Sequence, residues 1–149
     1  MSGIAHQVAI HANPAEVYTA LTTAAGIRRW WTVDADLDEQ VGGKGIFRFN
    51  YEGIVETKVR ILNLQSPALV VWAVESSFRP EQNATIINFE LRPEDDGTDL
   101  RFSQTGFQIA GETFELLTEG WWYHLVSMKR YLEFGQGAPS PDLDWTILD

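Results

Sequence analysis

Few residues in this chain are able to do chemistry, and their spacing limits what they can do. The only histidines are His6, His11 and His124. His6 and His11 differ in parity along one alternating segment, so a strand there turns them to opposite faces and makes no His–His metal pair. His124 follows Trp121 by three residues in an amphipathic stretch. An imidazole there could serve as acid or base at a cavity mouth. With no partner motif it reads first as a surface or hydrogen-bonded helix histidine. Glu112, Glu115 and Glu119 share one side of the same stretch and read as a solvated first turn that suits the helix dipole. Gly42-Gly43-Lys44-Gly45 is not a phosphate loop, which needs four residues between its glycines and a Ser or Thr after the Lys. Arg28-Arg29 could steer an anion but reads as solvated surface. No Ser/His/Asp order, His-Glu-x-x-His, nucleotide fingerprint or aspartate-rich calcium loop occurs. The sequence therefore assigns no catalytic residue, no metal ligand and no cofactor.

The aromatic residues are the stronger signal. Six tryptophans in 149 residues is a high count, and Trp30, Trp31, Phe47, Phe49, Trp72, Phe89, Phe102 and Trp121 all fall at inward positions of the predicted elements. Such a set either fills a core or lines an apolar ligand pocket.

The elements that position these rings follow from periodicity. Residues 4–11 alternate as a strand suited to a sheet edge. Asn13-Pro14 supplies an N-cap and a first helical residue for a short helix ending near Gly26, and a further helical turn carries Ile27 to Trp31. Residues 34–40 read as an irregular acidic stretch. Strands follow over 46–51, 54–64, 85–91 and 98–105, with a short apolar run at 69–74 also counted as a strand. Residues 76–83 read as a polar loop, 93–97 as a hairpin turn of the Asp-Gly kind, and 106–111 as a loop. Phe114, Leu117, Trp121, Leu125, Met128 and Leu132 recur at steps of three and four, predicting a long helix over 112–134 that Gly135 stops. The order β-α-α-β-β-β-β-β-α describes an antiparallel meander with helices on one face, an α+β domain.

Composition sets the outer limits. The net charge of −10 and pI near 4.6 disfavour nucleic acid and anionic lipid as partners. The absence of cysteine excludes disulfides and thiolate chemistry. No apolar run is long enough for a transmembrane helix and the start has no secretory pattern, so a cytoplasmic protein is expected.

Five motifs in order then resemble a known family. Residues 10–22, Arg29-Trp30-Trp31, residues 41–49, residues 97–102 with Thr105-Gly106-Phe107, and Gly120-Trp121-Trp122-Tyr123-His124-Leu125 match its successive elements. The chain resembles the START-like (SRPBCC, helix-grip) superfamily, in the branch similar to the C-terminal domain of the activator of the Hsp90 ATPase (AHSA1-like). The resemblance implies a curved antiparallel β-sheet gripping a long C-terminal α-helix, with two short helices after the first strand. It implies a domain over residues 1–135. Residues 136–149 form a tail whose Leu143, Trp145, Ile147 and Leu148 should dock on the domain or on a second copy, so homodimerisation is an expectation.

The leading expectation is a non-catalytic binding domain for a small, largely apolar ligand held between sheet and closing helix. Trp30, Trp31, Phe49, Trp72, Phe89, Trp121, Leu125 and Met128 would supply contact area, and Tyr123 or His124 an orienting hydrogen bond. A chaperone-cofactor module with a chaperone partner is the alternative that the resemblance implies. A cyclase- or hydratase-type enzyme in the same cavity is the second alternative, and it would need a polar pair inside.

Overall fold

The computed structural model describes residues 2–108 and 111–149. Strand β1 (Ser2–Ile10) is followed by helices α1 (Pro14–Thr22) and α2 (Ala24–Trp30). Six strands come next: β2 (Asp34–Leu37), β3 (Lys44–Asn50), β4 (Ile54–Gln65), β5 (Leu69–Ser77), β6 (Ile86–Glu94) and β7 (Gly97–Phe107). Helix α3 (Glu112–Phe134) closes the domain. The sheet order is β1-β7-β6-β5-β4-β3-β2, with every pair antiparallel, so β1 lies at an edge as its mixed composition predicts. This is the α+β helix-grip fold. Register shifts between Lys58 and Val59 and between Ile61 and Asn63 mark bulges that bend β4 and help the sheet curve around α3.

Alternation places one face of each strand in the core. Ile4, Val8 and Ile10 of β1, Phe47 and Phe49 of β3, and Trp72 and Val74 of β5 are buried. Ile87 and Phe89 of β6 and Leu100 and Phe102 of β7 complete the sheet's contribution. Helix α3 answers with Leu117, Trp121, Leu125 and Met128, while Phe114 and Leu132 pack at its ends half-buried. Gly135 stops α3 in the left-handed conformation with φ 88, and its N–H donates to the Tyr131 carbonyl.

Several boundaries differ from the sequence expectation. Residues 34–37 are an edge strand and not irregular, which makes seven strands instead of six. Only Ala35 of β2 is buried, so the segment has almost no hydrophobic pattern, and Arg48 of β3 ties it down across the pair through Asp34 at 3.0 Å and Asp36 at 3.1 Å. The first helix ends at Thr22, not near Gly26. Thr23 breaks the chain there and caps α2 by accepting from the Gly26 N–H at 2.9 Å. Gly26 sits inside α2, where a Cβ would lie 2.7 Å from the Ala20 Cα. Strand β5 extends to Ser77, and a 3-10 turn over Pro80–Gln82 occupies the segment read as polar loop. The expected loop over 106–111 shortens, because β7 continues to Phe107; Ile109 and Ala110 lie outside the described residues.

The tail docks on its own domain. Ser140 forms a parallel bridge with Thr32, donates to the Trp31 carbonyl at 2.8 Å and accepts from the Val33 N–H at 3.0 Å. Ser127 of α3 accepts from the Ala138 N–H at 2.8 Å and donates to the Trp30 carbonyl at 2.7 Å. Trp145 lies on Tyr123 with centroids 4.5 Å apart.

Candidate functional site

Sheet and closing helix meet tightly at one end and separate at the other. Beneath the second half of α3 the interior is filled. Trp30, Trp72, Phe89, Leu125 and Met128 are at most 1% exposed and lie off the cavity wall, so these five expected ligand contacts are core residues instead. Trp72 stacks on Trp31 at 6.2 Å and meets Phe89 edge-on at 5.2 Å, which plugs this end. Along the first half of α3 a cavity of about 490 Å³ stays open. Its lining includes the other five expected contacts, Trp31, Phe49, Trp121, Tyr123 and His124.

The remaining walls come from segments that periodicity does not single out. Phe78, Arg79 and Gln82, in the connection after β5, form one end, with Thr57 of β4 and Ile87 of β6 beside them. Leu143 and Trp145 of the tail form another wall. Exposed Tyr51, Leu116 and Glu119 stand at the rim. Phe78 within a polar stretch and the tail's apolar residues were the signals that these segments reach something apolar.

Polar groups form a chain under the aromatic surface. The Trp121 Nε1–H donates to Gln104 Oε1 at 2.9 Å, and the Gln104 amide donates to Thr85 Oγ1 at 2.9 Å and Gln82 Oε1 at 3.2 Å. Gln82 in turn donates to Ser77 Oγ at 3.1 Å, which is paired with Thr57 Oγ1 at 3.1 Å. The Tyr123 hydroxyl donates to the Ala138 carbonyl and accepts from the Asp144 N–H, both at 2.8 Å. Tyr123 thus anchors the tail, which engages the hydroxyl expected to orient a ligand. Burial pushes its pKa up.

His124 is the exception. Its ring packs among Trp31, Trp121 and Tyr123 at centroid distances of 6.0, 5.8 and 5.5 Å, and Nδ1 is buried without a hydrogen-bond partner. Desolvation pushes its pKa down to about 3, so the imidazole is neutral at pH 7. No described carboxylate is hydrogen-bonded to it. His6 Nε2 instead pairs with the Thr118 carbonyl at 2.9 Å, and His11 is exposed just past the end of β1. Arg28 is bound to the Ala35 carbonyl and Arg29 to that of Gly135, so both arginines hold structure together. Among the described residues no group of three or more His, Asp or Glu is placed to hold a metal. No helix among them is long and apolar enough to cross a membrane.

The profile of the family described as Activator of Hsp90 ATPase homolog 1-like protein matches residues 11–133. The chain belongs to this AHSA1-like family. The match ends before the tail, so the wall carrying Leu143 and Trp145 lies outside the matched residues. The solution structure of the Aha1 dimer from Colwellia psychrerythraea is similar, with a TM-score of 0.80 at 28% identity over 92% of this chain and 100% of that one. A Mesorhizobium loti crystal structure has a TM-score of 0.77 at 19% identity, covering 89% of this chain and 97% of its own. An AHSA1-like protein from Aeromonas hydrophila, solved in solution, has a TM-score of 0.73 at 17% identity, covering 90% and 94%. At those identities the last two establish fold alone. No curated protein matches the sequence significantly.

Proposed function

We propose that this AHSA1-like chain is a cytoplasmic, non-catalytic binding domain for a small, largely apolar ligand. The cavity of about 490 Å³ between α3, the sheet and the tail carries this reading. Its volume lies in the range of small-molecule sites, and its walls are mostly apolar, with aromatic rings the largest contributors. Binding is favoured over catalysis because the interior histidine has no carboxylate to orient or charge it. Native mass spectrometry of gently purified protein, followed by titration with an apolar fluorophore, tests this. A bound mass removed by solvent extraction, or saturable uptake by the extracted protein, is expected. A bare protein that takes up no probe overturns the reading.

A second reading concerns protein partners. The family description supports a chaperone partner of the Hsp90 type. Co-purification with such a chaperone and a change in its ATPase rate are expected on this reading; absence of both removes it. Homodimerisation through the tail is supported by Trp145, half exposed although stacked on Tyr123, and by the dimeric Colwellia relative.

A further inference from the structure

The tail borders two hollows. Leu143 and Trp145 line the cavity, whereas Asp142 and Asp144 line a separate groove of about 730 Å³. This groove runs between the C-terminal ends of α2 and α3 and residues 136–144. Its charge is unlike that of the chain as a whole. Three of the eight arginines, Arg28, Arg29 and Arg130, line it, and neither Lys nor Glu does, in a chain of net charge −10. Arg28 is engaged by the Ala35 carbonyl and by Asp36 at 3.7 Å. Arg29 and Arg130 have no ion-pair partner among the described residues. Each guanidinium instead lies over a ring, Arg29 over Tyr131 at 5.2 Å and Arg130 over Phe134 at 6.0 Å. Stacking occupies the flat face of a guanidinium and leaves its in-plane N–H groups for a planar anion such as a carboxylate. Arg29 gives one N–H to the Gly135 carbonyl, and Arg130 gives none to a described residue.

The tail's carboxylates do not neutralise this pair. Asp144 Oδ1 takes two hydrogen bonds from Thr146, which hold the carboxyl below its usual range, with Arg130 the smallest influence on it. Asp142 and Asp144 would instead repel a compact dianion in the groove. Carboxylates spaced along an extended chain avoid this, because alternate side chains share one side and face the arginines. The apolar part of the groove is also open. Phe134, at the last turn of α3, is 74% exposed, and Val33 is 50% exposed. Arginine beside exposed aromatic surface, without Lys or Glu, is the composition of a protein–protein contact. Independently of the cavity reading, we propose that this groove docks an extended acidic segment of a partner protein, with carboxylates on Arg29 and Arg130 and an apolar side chain on Phe134.

Fluorescence anisotropy on the full chain tests this with a labelled, end-capped peptide, Ser-Glu-Leu-Glu-Ser. Its glutamine counterpart, Ser-Gln-Leu-Gln-Ser, should bind about tenfold more weakly, and a peptide with Ser in place of Leu about threefold more weakly. Binding of the acidic peptide should also weaken as salt is raised. Arg130→Gln removes no hydrogen bond or ion pair between described residues, so the fold should keep its urea midpoint. It should weaken the acidic peptide about three- to tenfold and leave the glutamine peptide unchanged, and Arg130→Lys, which keeps the charge without the planar fork, should restore only part. Arg92→Gln removes a charge from β6, outside the groove, and should leave both peptides unchanged. Equal binding of the acidic and glutamine peptides, binding of neither, no effect of Arg130→Gln, or an equal loss in Arg92→Gln overturns the proposal. Displacement of the peptide by an equal concentration of inorganic phosphate overturns it in favour of a small-anion site. A dimer mass in light scattering that Arg130→Gln abolishes overturns it in favour of a second copy.

Discussion

The indole of Trp121 donates to the amide oxygen of Gln104 at 2.9 Å, joining the closing helix to β7 inside the domain. Gln104 is fully buried, and its amide nitrogen reaches both Thr85 and Gln82. One side chain on the sheet therefore sets the angle of a ring in the pocket roof and the position of the segment that closes the pocket's end.

Gln104→Leu keeps the volume but removes both ends of this link. It leaves the Trp121 N–H and the side-chain oxygen Oε1 of Gln82 without their partners in a buried site. Urea denaturation should show a loss of about 2–4 kcal/mol with an unchanged m-value. A loss below about 1 kcal/mol would mean that the network relaxes or takes up water and does not hold Trp121 in place.

His124 gives the stability curve an acid limb. In the unfolded chain the ring takes a proton near pH 6.5, but in the folded protein only near about 3, because burial disfavours the cation. Between these values the unfolded state holds the extra proton. The contribution is therefore fully present above pH 6.5, shrinks as pH falls toward 3, and has no further slope below that. Its upper bound is about 5 kcal/mol, and solvent at the cavity wall reduces it. The stability of wild type relative to His124→Phe should decline on acidification through this window. Parallel curves for the two proteins would show that His124 titrates normally.

Long periodic segments were legible and contacts between short ones were not. The face running from Leu117 to Met128 and the stop at Gly135 predicted α3 at its observed bounds, because burial along one helix face leaves a repeating trace. Strand β2 left none, since cross-strand ion pairs at Arg48 hold it and only Ala35 is buried. At the site, inward-pointing residues could be chosen from parity and helix spacing, but depth could not. Trp72 and Trp31 both point inward, yet one belongs to the plug and the other to the wall, a distinction made by the bend of the sheet and the path of the tail. Phe78 and Trp145 belong to no periodic element, so their apolar character pointed to burial but not to a place on this wall.

The hairpin between β6 and β7 makes a sharper case. Glu94 pairs with Gly97, which puts Asp95 and Asp96 in the turn and Gly97 in the strand. The glycine is required by close approach: a Cβ there would lie 2.0 Å from the Ile10 carbonyl oxygen. Gly97→Ala must push β7 away from the end of β1 and should cost at least about 3 kcal/mol by thermal or urea unfolding. Gly53→Ala, also at positive φ but with open space around its Cβ, controls for backbone strain alone and should cost less. Equal losses would assign the Gly97 effect to φ and not to the clash.

The tail links site and assembly, so shortening it tests both. The Tyr123 hydroxyl fixes Ala138 and Asp144, and Trp145 covers the ring while remaining half exposed itself. Tyr123→Phe should loosen this arrangement by about 1–2 kcal/mol, seen as faster amide exchange at Asp144 while α3 keeps its protection. Truncation after Gln136 removes Leu143 and Trp145 from the cavity wall, and apolar probe affinity should fall because one side of the pocket opens to water. Light scattering on the same pair separates the tail's two possible roles. If Trp145 and Leu148 seat on a second copy, the full chain has a dimer's mass and the truncated chain a monomer's. A monomeric full chain confines the tail to its own domain and overturns the dimer proposal, while the probe measurement still reports whether Trp145 holds ligand.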